Sequence, residues 1–218
     1  AVGLAWGLML QGKTDVVTAH FGDGATSQGD FYEPLNLSGV MKAPAILFCQ
    51  NNNWAISVPR QSQTASPTLA QKAVAAGIPG IHVDGNDLMA VYQVTKAAVD
   101  RARRGDGPTL IEGVTYRLGI HTTADDSSRY EPEELREMWK DKDPVIRLQL
   151  YLEQRGCWTE EIGEKMESEI STELDQAWDE AQKFPDATAA ESLTHVFAEM
   201  TPRLQQQYDE LKGESDND

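Results

Sequence analysis

The sequence predicts an α/β protein, a parallel sheet with helices on both faces followed by a C-terminal helical extension. Three observations predict it. Two apolar runs, residues 16–21 and 45–49, each break into small and polar residues: Gly22-Asp23-Gly24 after the first, Asn51-Asn52-Asn53 after the second. Between them, residues 30–42 leave room for a helix that returns the chain to the start of the next strand, which makes a βαβ unit. From residue 131 onward, apolar residues recur at helical spacing in an acidic background.

Each element can be justified in order. Residues 1–10 read as a helix that Gly12 and Lys13 stop. Residues 15–21 form a strand with little alternation, expected to be buried on both faces. In the helix at 30–42 the apolar candidates are Leu35, Leu37, Val40 and Met41. Residues 45–49 are the second strand. Residues 57–67, polar and proline-containing, form a loop placed to wall a site. A short helix at 68–76 precedes a third strand at 80–83. Asn86 or Asp87 then caps a helix at 88–104; the Asp-Gly at 84–85 reads mainly as a turn. Residues 108–116 are the fourth strand. They open into a polar loop at 117–130, long enough to mark function. Helices are expected at 131–140, 144–156, 160–183, 187–200 and 202–211. The apolar stripes Leu148, Leu150, Tyr151, Leu152 and Val196, Phe197, Met200 should pack against the α/β core or a subunit. The domains expected are an α/β domain at 1–130, a helical extension packed on it at 131–211, and a disordered acidic tail at 212–218.

Composition narrows the function classes. With 218 residues and 40% apolar content, one sizeable domain with a real core is expected. No run of 18 apolar residues appears, so no membrane span is expected. The net charge is −16. Residues 1–130 hold 10 basic and 11 acidic side chains, and residues 131–218 hold 9 and 24, so the acidity belongs to solvated helix faces. Nucleic-acid binding, which needs a basic face, is excluded. Cys49 and Cys157 have no metal-ligand spacing and read as reduced thiols of a cytoplasmic protein.

The chemistry gathers where the two strands end, the place where open α/β sheets bind ligands. Asp23 offers a hard anionic oxygen and Asn52 a neutral carbonyl oxygen. Gly22 and Gly24 permit a sharp turn. The following helix N-terminus supplies unpaired N–H groups and partial positive charge. Mg²⁺ is usually held by one or two carboxylates with phosphates and waters, so this set suits a metal–diphosphate pair.

Three motifs carry a family resemblance. They are Gly22-Asp23-Gly24-Ala25-x-x-Gln28-Gly29; Asn51-Asn52-x-Trp54-Ala55-Ile56-Ser57; and Tyr116-Arg117-x-Gly119-x-His121-Thr122-x-x-Asp125-Asp126. With 29 residues from Asp23 to Asn52, the chain resembles the alpha subunit of the thiamine-diphosphate-dependent 2-oxo acid dehydrogenases. These are the decarboxylating first components of the pyruvate and branched-chain complexes. The resemblance runs from residue 1 to about 211 and implies a thiamine-diphosphate-binding fold. It implies that Asp23, Asn52 and the main-chain carbonyl of Trp54 ligate Mg²⁺. Trp replaces the more usual Tyr or Phe there, which a backbone role tolerates. The turn at Gly22, Gly24 and Ala25 would face the diphosphate with its N–H groups. Gln50 stands where some relatives carry a phosphate-contacting Arg; it keeps a donor and loses the charge. Arg117 would order the loop through Asp125 or Asp126 and face the cofactor. His121 matches the catalytic histidine, and Thr122 stands where some eukaryotic relatives carry a phosphorylated Ser.

The activity implied is oxidative decarboxylation of a 2-oxo acid, an oxidoreductase reaction, with acyl transfer to the lipoyl domain of the dihydrolipoyl acyltransferase. The partners implied are a beta subunit, in an alpha2-beta2 heterotetramer, and a small 2-oxo acid substrate. Family members carry well over a hundred residues ahead of this point, so the chain reads as a fragment or one piece of a split gene. Alone it is expected to be inactive, because the beta subunit supplies the carboxylate that activates the cofactor. Other readings are an acetoin dehydrogenase alpha subunit, a transketolase-like protein, and a non-catalytic scaffold retaining the fold.

Overall fold

The computed structural model describes residues 1–215. They fall into two compact units, divided between Cys157 and Trp158. In the first, α1 (Val2–Leu10) leads to strand β1 (Val17–Gly22), a 3₁₀ turn (Asp23–Ser27), α2 (Gly29–Met41) and β2 (Ala45–Asn51). A small hairpin, β3 (Trp54–Ala55) and β4 (Val58–Pro59), follows with two short helices, α3 (Arg60–Gln63) and α4 (Lys72–Ala75). Then come β5 (Gly80–Asp84), α5 (Leu88–Arg103), β6 (Thr109–Val114), α6 (Glu133–Lys140) and α7 (Pro144–Gln154).

The sheet is parallel throughout, in the order β1-β2-β6-β5. The chain leaves β2, crosses to the far edge as β5, and returns as β6 between them. Alternation builds a core on each face. Ala45 and Leu47 of β2 and Leu110 of β6 pack with Val2, Ala5, Phe31 and Leu35. Ile46, Phe48 and Ile111 face the other way, against Ala98 and Ala102 of α5. At Gly80 the backbone runs so close to residue 70 that a Cβ would lie 2.1 Å from the Ala70 carbonyl oxygen, so only glycine fits.

Three expectations need correction. β1 is an edge strand, and its residues alternate between half-buried and exposed instead of being buried on both faces. Its lack of alternation in sequence reflects small or amphipathic residues, such as Thr18 and His20, on the open side. In α2 the buried positions are Phe31, Leu35 and Ser38. Leu37 and Val40 are exposed. At 100° per residue they point away from that stripe, and Ser38 is tolerated inside because its hydroxyl donates to the Leu35 carbonyl. No helix spans 187–200. The second unit holds α8 (Glu160–Ala181), a short 3₁₀ turn (Ala190–Leu193) and α9 (Pro202–Ser215). Between α8 and α9, Ser192 and Thr194 donate to the carbonyls of Ala189 and Glu191, and such local bonds compete with a helix.

Asp87 is the cap of α5, accepting from the Ala90 N–H. The acidic tail placed at 212–218 lies, from residue 216, outside the described residues. Among the described residues no helix is long and apolar enough to cross a membrane.

Candidate functional site

The register Phe21↔Cys49 and Gly22↔Gln50 brings the ends of β1 and β2 side by side. Asp23 and Asn52 therefore leave neighbouring strand ends. Asp23 is 1% exposed. Its Oδ2 accepts from Gln63 Nε2 at 2.8 Å, while its Oδ1 is buried with no hydrogen-bond partner among the described residues. Burial raises its carboxyl above the usual value, against the lowering effects of Gln63, Arg117 and Arg60. A buried carboxylate with an orphaned oxygen is costly unless a cation or proton meets it.

The neighbours supply neutral oxygens. Asn52 Oδ1 accepts the Trp54 N–H at 3.1 Å, and an amide oxygen has a second lone pair to give. Trp54 pairs with Pro59, which has no N–H to offer the Trp54 carbonyl. Among the described residues no cluster of three or more His, Cys, Asp or Glu side chains gathers. A cation held here would thus rest on one carboxylate with neutral oxygens, a donor set that fits Mg²⁺ shared with phosphate.

The turn after Asp23 is closely packed and open at its tip. A Cβ on Gly24 would lie 2.8 Å from Ala55 Cβ, which excludes a side chain. Gly22 and Ala25 are exposed, as is Gln50 at the end of β2. No side chain caps α2, whose N-cap is Gln28, so its first turn can face an anion.

The loop after β6 meets the same place. Thr115 N–H donates to the Asn51 carbonyl at 2.8 Å and Arg117 N–H to the Asn52 carbonyl at 3.3 Å. Arg117 Nη2 donates at 2.7 Å to both the Ile56 carbonyl and the Tyr130 hydroxyl. The Tyr130 hydroxyl donates to Asp125 Oδ2 at 2.7 Å, which also accepts the His121 N–H at 2.8 Å. Arg117 thus reaches Asp125 through Tyr130. Asp126 instead closes the next turn, accepting from Ser128. Arg117 Nε and Nη1 are buried without partners among the described residues. His121 and Thr122 are exposed. At the far end of the loop, Tyr116 donates to Glu131 at 2.7 Å and stacks on Trp139. Burial, with that bond, pushes its phenol up to about 12.

Several residues at this site carry no sequence signal of their own. Asn51 Nδ2 donates to Glu112 Oε1 at 2.7 Å, and Glu112 Oε2 accepts the Ala70 N–H at 2.8 Å. Glu112 is a carboxylate 1% exposed within the central strand Thr109–Val114. Lys72 donates to Thr26, and Gln63 to Asp23. Burial pushes the Cys49 thiol well up, and the carboxylates of Glu112 and Asp23 push the same way while Lys72 opposes them. Ile56 holds φ 57 at the hairpin tip, a strained value for a β-branched residue, and its carbonyl is the one Arg117 grips.

Comparison with known proteins gives a consistent result. The family model of the dehydrogenase E1 component matches residues 1–190. The chain is 45% identical over 214 residues to the 3-methyl-2-oxobutanoate dehydrogenase subunit alpha of Mycobacterium tuberculosis, covering 98% of this chain and 58% of that one. It is 45% identical over 214 residues to a pyruvate dehydrogenase E1 component subunit alpha of Acholeplasma laidlawii, covering 97% and 62%. It is 46% identical over 213 residues to the same-named subunit of Staphylococcus aureus, covering 97% and 58%. The chain therefore spans about six tenths of the length of these curated relatives.

Proposed function

Because the chain belongs to the dehydrogenase E1 component family, we propose that it forms the cofactor-binding part of the alpha subunit of a cytoplasmic 2-oxo acid dehydrogenase. The substrate is pyruvate or a branched-chain 2-oxo acid, and the acyl group passes to the lipoyl domain of an acyltransferase. The observation that carries this reading is the buried Asp23 carboxylate, whose Oδ1 has no partner among the described residues, beside Asn52 at adjoining strand ends. Bound thiamine diphosphate would supply the electron sink for loss of CO₂.

The chain's own residues bind and orient. Asp23, Asn52 and the Trp54 carbonyl hold Mg²⁺. The N–H groups of the turn at Gly22, Gly24 and Ala25 meet the diphosphate, and Gln50 offers a neutral donor beside them. Arg117 fixes the loop that carries His121, and its Nε and Nη1, without partners among the described residues, add a cationic face toward the cofactor. His121 works at the acyl transfer, since an imidazole can both accept and donate a proton. A beta subunit completes the site in an alpha2-beta2 assembly, so the 218-residue chain alone gives no turnover.

The test is isothermal titration of thiamine diphosphate with and without Mg²⁺. The titrant meets the full-length alpha chain co-purified with its beta partner, wild type against Asp23→Ala. Metal-dependent binding that weakens at least about tenfold in the variant is the expected result. An assembly that binds no cofactor overturns the reading and leaves a non-catalytic scaffold. A panel of 2-oxo acids then assigns the substrate.

A further inference from the structure

The residues assigned so far leave one buried cation unused. Lys72, at the start of α4, is only 9% exposed. Lysines ordinarily bury the stem and keep the ammonium in water, so an ammonium placed inside needs a reason. This one donates to the Thr26 carbonyl at 2.7 Å and the Thr26 hydroxyl at 3.2 Å. Its other neighbours are the rings of Tyr32 and Phe31, with centroids 5.0 and 5.8 Å away. Among the described residues no carboxylate forms an ion pair with it.

Thr26 is part of the turn at the end of β1, and its hydroxyl donates in turn to the Asp23 carbonyl at 2.8 Å. The ammonium thus acts on the backbone of the same turn whose exposed side carries Gly22 and Ala25 and leads into the uncapped α2. An apolar chain of the same length would fill the space against Phe31 and Tyr32 without the cost of desolvating a charge. The charge itself must therefore have a use. The groups it touches are neutral acceptors and aromatic faces. The carboxylates of Asp23, in the same turn, and of Glu112, bonded to the Ala70 N–H, act with it on Cys49 but form no ion pair with it. A buried cation so placed favours an anion on the far side of the turn.

We propose that Lys72 is a positioning residue for the diphosphate: it fixes the Asp23–Ser27 turn through Thr26 and supplies the buried positive charge that the bound anion compensates. This rests on the cofactor reading above. Lys72 need not touch the ligand. It acts through the Thr26 backbone and through its field, which is little screened at such burial.

The test uses the full-length alpha chain with its beta partner, as wild type, Lys72→Met and Lys72→Arg. Each is titrated with Mg²⁺–thiamine diphosphate and with Mg²⁺–pyrophosphate, and each is melted with and without ligand. Lys72→Met should weaken both ligands about tenfold or more. Its ligand-free melting point should hold or rise, while the rise on adding ligand shrinks. Lys72→Arg should recover part of the affinity. Met-variant affinities within about twofold of wild type overturn the proposal. So does a variant whose ligand-free stability collapses in step with its affinity, with no recovery in Lys72→Arg, because that is the behaviour of a plain structural lock. A wild-type assembly that binds neither ligand sinks the cofactor reading itself, and the role of Lys72 with it. Binding by wild type that is indifferent to Lys72 sinks this inference alone.

Discussion

The two halves of the site are held in opposite ways. The strand-end half rests on buried groups: Asp23, Thr26, Asn51, Lys72 and Glu112 are all 9% exposed or less. Their bonds run through the protein interior, from Glu112 to Asn51 and Ala70, and from Lys72 through Thr26 to Asp23. The loop half, from Arg117 to Tyr130, rests on a relay of half-buried or exposed groups: Arg117, Tyr130, Asp125 and the His121 N–H. The contrast is physical. Water cannot replace a partner lost inside, so the buried half has one geometry. Water can replace a partner at the surface at little cost, so the loop can open locally. On the function proposed above, metal coordination would use the first property, and admitting a substrate and a lipoyl arm would use the second.

The largest effect should come from the buried half. Glu112→Ala strips two buried donors, Asn51 Nδ2 and the Ala70 N–H, of their acceptor. Each buried donor left without an acceptor costs about 1–3 kcal/mol. In a chain of this size the two together mean a fall of roughly 10 °C in melting temperature. Glu112→Gln keeps one acceptor oxygen but turns an N–H₂ toward a donor, so it should fall between wild type and Ala. Urea denaturation of the three proteins measures this. A cost for the Ala variant below about 1 kcal/mol would erase the distinction between the halves.

Asp23 gives the next effect, of opposite sign. Its carboxyl is raised by burial, so the folded ligand-free protein keeps a proton that the unfolded chain releases. Ligand-free stability should fall as pH climbs from the ordinary carboxylate value of 3.8 through the raised one, and stay lower above it. Asp23→Asn removes that loss and keeps an acceptor for Gln63. It should stabilise the ligand-free protein at neutral pH while abolishing metal-dependent binding. Stability measured against pH for both proteins decides it. A variant less stable than wild type at neutral pH would mean that Asp23 is satisfied without a metal.

The sequence made one half of this contrast far more legible than the other. Strand ends announce themselves, because an apolar run that stops at Gly-Asp-Gly or Asn-Asn-Asn has little else to do. The placement of Asp23 and Asn52 at adjoining strand ends was readable for that reason, and so were the parallel sheet and a cap at Asn86 or Asp87. What supports them was not. Glu112 lies in an ordinary strand, Lys72 and Gln63 in short helices (α4 and α3), and each acts over 40 or more residues of chain. Pairings at that separation depend on strand order, and β6 inserting between β2 and β5 is what brings Glu112 under Asn51. The misread positions fail for a related reason. Val40 and Leu37 are apolar, yet the partner for an apolar side chain is decided by the helix's rotation, which Phe31 and Leu35 set.

The smallest effect belongs to the loop and is the most sensitive measure of its freedom. Tyr130→Phe deletes the hydroxyl that joins Arg117 to Asp125 but leaves the ring against Trp54, with centroids 5.3 Å apart. Global stability should change by less than about 1 kcal/mol, since the lost bonds are replaced by water. Local opening should change more visibly. The Asp125 carboxyl is held below its usual range first by the His121 N–H and then by the Tyr130 hydroxyl. Its anchoring of the loop is therefore present above the ordinary carboxylate value and is lost as pH falls through the lowered one. With the hydroxyl gone, that loss should begin at higher pH. Hydrogen exchange at the His121 amide should quicken roughly fivefold at neutral pH. Exchange at His121 that matches wild type would show that the loop is carried by its flanking aromatic pairs, the tilted Trp54 with Tyr130 and the stacked Tyr116 with Trp139, and that the polar relay adds nothing to its order.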